Sequence, residues 1–70
     1  MRYYLIHVYA GIEPDFVADT NSLESLVICA RNFVRSHNFG KPYDSLFGLC
    51  INESGEPEIF AFTNDQLEDD

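Results

Sequence analysis

The stretch Ser45-Leu46-Phe47-Gly48-Leu49-Cys50-Ile51-Asn52-Glu53-Ser54-Gly55-Glu56-Pro57-Glu58-Ile59-Phe60-Ala61-Phe62-Thr63 decides the fold. Two apolar runs flank Asn52-Glu53-Ser54-Gly55, the pattern of a type I turn closed by a glycine in the left-handed region. Pairing Asn52 with Glu56 then sets the register of a β-hairpin with strands over 45–51 and 58–63. Leu49 faces Ile59 and Phe47 faces Ala61 on one side of it. On the other side Cys50 faces Glu58, Gly48 faces Phe60 and Leu46 faces Phe62.

Working outward, the segment before the hairpin has helical spacing. Leu23, Leu26, Val27, Ala30, Phe33 and Val34 fall on one stripe. Asn21 is placed to cap its start, with Glu24 three residues on completing a capping box. Asn38 or Gly40 supplies a stop and Pro42 prevents continuation. Arg31, Arg35 and Lys41 gather at the C-terminal half, where positive charge suits the helix dipole. Tyr3 to Ala10 reads as a first strand, rich in aromatic and β-branched residues and ended by Gly11. Residues 11–20 read as a loop in which Phe16 and Val17 anchor against the core, with a short extended piece there as the alternative. Residues 64–70 form an acidic tail with at most one helical turn.

These elements predict an α+β fold: a two-layer βαββ unit over residues 1–63, with one helix on one face of a three-stranded, mostly antiparallel sheet. Ile59-Phe60-Ala61-Phe62 is apolar on both faces, which suggests a central strand and the order 2-3-1; the order 1-2-3 is the alternative. One helix covers one face. The aliphatic set Tyr4, Ile6, Val8, Phe47, Leu49 and Ile59 is assigned to it. The opposite set, Tyr3, Leu5, His7, Tyr9, Leu46, Phe60 and Phe62, is then expected to lie open as an interface. An open patch of that kind exceeds the ~400 Å² tolerated on a monomer, so a cover is required. A second copy of the chain is the leading candidate, a homodimer being the commonest assembly; a partner protein or the 11–20 loop would also serve.

Charge narrows the partners. Twelve acids against four bases give the 70-residue chain a net charge of −8, which repels phosphate backbones and anionic lipid. Direct nucleic-acid binding and membrane association are not expected; a protein partner with a basic surface is. The acids expected to meet it are Glu13, Asp15 and Asp19 in the loop and Asp65, Glu68, Asp69 and Asp70 in the tail. Cys29 and Cys50 have no framework spacing and are read as buried free thiols of a reducing compartment. Met1-Arg2-Tyr3 enters a strand pattern directly, so no signal peptide is expected and the location is cytoplasmic.

Chemistry is sparse. His7 sits in a strand and His37 near a helix end, far apart in sequence. A Cys–His nucleophile would need Cys29 or Cys50 beside one of them. No phosphate loop and no metal-ligand spacing occurs. The expectation is a non-enzymatic protein without catalytic residues, metal or cofactor.

In outline the chain resembles the small acidic proteins of phages and mobile elements that inhibit host defence, of the anti-CRISPR and antirestriction kind. The resemblance is carried by Arg2-Tyr3-Tyr4-Leu5-Ile6 at the start, the short helix, Asn52-Glu53-Ser54-Gly55-Glu56 and the Asp/Glu tail. It implies an inhibitor that occupies a basic surface of a nucleic-acid-handling complex. Arg31, Arg35 and Lys41 depart from the pattern of an extended DNA mimic and would confine mimicry to part of the surface. The other reading of the same residues is a small homodimeric structural or regulatory module.

Overall fold

The computed structural model describes residues 1–36 and 44–68. Strand β1 spans Arg2–Tyr9. At its end Ala10 and Gly11 take φ of 53° and 74°, and the Ile12 N–H donates to Tyr9 O at 2.9 Å. Two left-handed residues in succession turn the chain back with the twist a hairpin needs. Asp15–Thr20 then forms strand β2, antiparallel to β1. This is a fourth strand where a loop was expected. Pro14 and the three acids read as loop residues, but an edge strand leaves such acids in water and needs few apolar side chains to hold it.

Helix α1 runs Leu23–Ser36. Its cap is Ser22 and not Asn21: Ser22 Oγ accepts from the Ser25 N–H at 3.1 Å, and the Leu26 N–H reaches Ser22 O at 3.1 Å. The expected box gives way to a single cap one residue on, and the Ser22 hydroxyl donates in turn to Ser25 Oγ at 2.9 Å. The stop signals Asn38, Gly40 and Pro42, together with His37 and Lys41, lie outside the described residues.

Strands β3 (Asp44–Ile51) and β4 (Pro57–Ala61) form the expected hairpin. Leu49 pairs with Ile59, Phe47 with Ala61, Cys50 with Glu58 and Gly48 with Phe60. The turn closes as read. Asn52 N–H donates to Glu56 O at 3.0 Å and Gly55 N–H to Asn52 O at 2.9 Å, with Gly55 at φ 82°. The Asn52 side chain adds acceptance from the N–H groups of Ser54 and Glu56. Beyond β4, Thr63 caps the single turn α2 (Asn64–Leu67) in a reciprocal box with Gln66.

The sheet order is β2-β1-β3-β4, with every neighbouring pair antiparallel. The fold is thus α+β with an open four-stranded sheet. The expected three strands and the order 2-3-1 give way to this arrangement, in which β4 lies at an edge. Its unbroken apolar run has two separate causes. Phe60 packs into the helical layer, with Phe62 just beyond the strand end, while Ile59 and Ala61 point the other way.

The larger correction concerns the faces. Leu5 and Leu46 are buried with Leu26 and Ala30 of α1, and Tyr3, Phe60 and Phe62 pack around them. Helix α1 therefore covers the face expected to be open, and the aliphatic set faces out. Width explains the choice. A helix is about 10 Å across, whereas four strands span roughly 19 Å. One helix cannot roof such a sheet unless large side chains fill the strip beside it. Phe60 and Phe62 do so, their rings 5.6 Å apart edge to face, with Leu67 of α2 packed against the same core. On the aliphatic face β4 offers only Ile59 and Ala61 for that strip.

Gly48 makes room for this arrangement. A Cβ placed there would fall within the van der Waals radius of the Phe60 ring, which lies over the bare backbone. Gly48→Val should displace that ring and lower stability by about 1–3 kcal/mol despite valine's strand preference. A chemical-denaturation midpoint equal to or above that of the parent would contradict this placement.

Candidate docking face of the sheet

The outward apolar side chains that make up the face follow from the register, with Arg2, Asp19, Ser45 and Pro57 at its remaining strand positions. The apolar ones are Tyr4, Ile6 and Val8 of β1, Phe16 of β2, Phe47, Leu49 and Ile51 of β3, and Ile59 and Ala61 of β4. Strand alternation puts them on one side because side chains repeat with period two. Phe16 and Ile59 stand at the two edges, 66% and 70% exposed. Ile6 at the centre is nearly covered by its neighbours, and the Tyr4 and Phe16 rings lie 5.8 Å apart. A shallow depression of about 310 Å³ runs along β2, lined by Tyr4, Phe16, Val17, Ala18 and Asp19.

Charge is scarce on this face. Among its strand positions only Arg2 and Asp19 are ionic, and they pair at 2.9 Å in one corner. Both partners are more than half exposed, so the pair adds little to stability but leaves the face electrically neutral.

The edges are guarded. Strand β2 is interrupted by a bulge at Val17, where the register slips between Leu5 and Ile6. Strand β4 is five residues long and opens with Pro57. Bulges, proline and short length are the devices that keep exposed edges from pairing with other chains.

The residues expected to form an open interface sit elsewhere. Leu5, Leu46 and His7 are buried beneath α1, Tyr3, Phe60 and Phe62 are half-buried beside them, and Tyr9 alone is exposed. His7 has a specific setting: its Nε2 lies 2.7 Å from Asp44 Oδ1, with both side chains about nine-tenths buried. The Phe33 ring of α1 stacks 4.9 Å from the imidazole. The Asp44 contact was not foreseen, because nothing local links residues 37 positions apart.

Cys29 and Cys50 are free thiols. On β1, Tyr3 is the partner of Cys50 and His7 the partner of Leu46. Four residues therefore separate His7 from Cys50 along the strands, about 13 Å, well beyond the reach a nucleophile–base pair needs. Cys50 Sγ instead faces the Glu58 carboxylate at 3.9 Å.

Of the acids, Glu13 and Asp15 lie in and just after the turn into β2, and Asp19 further along it. Asp65 and Glu68 belong to the turn that follows β4; Asp69 and Asp70 lie outside the described residues. Strands β2 and β4 are opposite edges, about 14 Å apart across three strand spacings. The two acidic groups thus leave the sheet from different sides. Arg31, expected on the polar side of the helix, donates from Nε to Gln66 O at 2.6 Å and ties α2 to α1.

No family model, curated protein or solved structure matches this chain. Among the described residues, no three His, Cys, Asp or Glu gather as metal ligands, and no helix is long and apolar enough to cross a membrane.

Proposed function

We propose that the chain is a non-enzymatic protein-binding module that works by presenting its open sheet face to another protein surface. One observation carries this reading: a contiguous apolar face, edged by Phe16 and Ile59 at 66% and 70% exposure, opposite a face already roofed by α1. Exposed apolar patches of this extent mark interaction sites. The His7–Asp44 pair and the buried Cys50 act as structural parts of the covered face.

A second reading draws on the charge. The chain's net charge is −8, and among the described residues most acids stand off the open face, on the β1–β2 turn, the helices and the β3–β4 hairpin. An inhibitor that occupies a basic surface of a nucleic-acid-handling defence complex would use those acids, Glu13 and Asp15 on one side and Asp65 and Glu68 on the other.

Photoreactive side chains at positions 59, 13 and 28 separate the two. In the cells that make the protein, position 59 should cross-link to protein while position 28, on the outer side of α1, does not. Capture from position 13 with none from 59 would transfer the function to the acids. Equal, weak capture at 59 and 28 would remove the docking-face reading.

A further inference from the structure

We infer that the open face is closed by a second copy of this chain, two sheets packing face to face into a four-layer αββα homodimer. This rests on the reading of that face as a docking surface and names its occupant.

Charge gives the first argument. Two chains of −8 each repel, and only a neutral surface allows them to meet. The open face is that surface, since the one acid at its described strand positions, Asp19, is paired with Arg2. The acids of α1 and α2 lie behind the sheet. In a face-to-face dimer, with sheets about 10 Å apart, they stay farther from their symmetry mates than the ~8 Å over which charge acts in physiological salt. A basic partner, by contrast, would find almost no carboxylates on this face to recognise.

Area gives the second. Phe16 and Ile59 are mostly exposed, Val17 and Ile51 are more than a third exposed, and Tyr4, Phe47 and Leu49 are half-buried. At about 200 Å² for a large side chain, the face leaves on the order of 600 Å² in water. Closing two such faces removes about 1,200 Å², the lower edge of the range for stable interfaces.

Edge chemistry gives the third. The bulge in β2 and Pro57 in β4 block strand-to-strand addition, so self-association is directed to the face. Two-fold symmetry then needs only one patch that complements itself, and aligned sheet packing supplies it.

Sedimentation equilibrium of the full chain in reductant, over a wide range of loads, tests this. The parent should approach twice the chain mass. Ile59→Lys and Phe16→Lys, each at a well-exposed site and each checked for an unchanged circular dichroism spectrum, should weaken dimerisation by roughly thirtyfold or more. Ile28→Lys on α1 should leave it unchanged. A monomer at every load overturns the dimer, as does a dimer indifferent to both face substitutions. The fate of the underlying reading is separable: a monomer that binds a hydrophobic dye, and loses it in Ile59→Lys, keeps a docking face for another partner. A monomer that binds none loses both.

Discussion

Leu26→Ala is expected to leave most of the chain unfolded at modest denaturant, while Ile28→Ala two residues away changes little. Leu26 is fully buried, with Leu5 and Ala30 around it, whereas Ile28 is 49% exposed. Removing a buried leucine side chain costs about 2–5 kcal/mol through lost transfer energy and the cavity left behind. A 70-residue domain has a total of only about 3.5–10 kcal/mol to lose. With a slope near 1 kcal/mol per molar urea, the midpoint should fall by about 2–5 M. Ile28→Ala should stay within about 0.5 kcal/mol, as exposed substitutions do. The comparison reads the orientation of α1 directly: equal costs at the two positions would mean that the helix does not present Leu26 to the sheet.

The hairpin was legible because turn chemistry and strand period are both local. Asn52 and Gly55 fix the turn, and the turn fixes the pairs Leu49–Ile59 and Gly48–Phe60. The helix was legible to within a residue at its start, since Asn21 and Ser22 are both good caps and only geometry shows which one reaches the third N–H. Strand β2 was hidden because an edge strand carrying Asp15 and Asp19 has the composition of a loop, and its partner register depends on the left-handed pair Ala10-Gly11.

Which face the helix covers was not legible from hydrophobicity, since both faces are apolar. Two residues did carry the signal. Gly48 opposite Phe60 marks a ring that comes close over the bare backbone of the sheet. His7 in mid-strand requires a polar partner if it is covered, and Asp44 at the start of β3 provides one across the β1–β3 pair. Among the described residues a single helix still leaves one side of the sheet without a layer, and that side is the one bearing Tyr4, Phe47 and Ile59.

The His7–Asp44 contact should behave as the polar keystone of the covered side. Its 2.7 Å separation and burial make it a charge-assisted hydrogen bond in a low-dielectric setting. His7→Ala removes one hydrogen-bond partner of a buried carboxylate and the ring against Phe33, and should lower stability by about 2–4 kcal/mol. Asp44→Asn retains an acceptor oxygen and should cost less. Replacing both with leucine should recover much of the loss, because the desolvation of the two polar groups is removed together with their attraction. A double-mutant cycle of His7→Leu, Asp44→Leu and the two combined, built from denaturation midpoints, should give a coupling of about 1–3 kcal/mol. A coupling near zero would mean that the two side chains do not meet beneath α1, and the orientation of the whole helical layer would have to be redrawn.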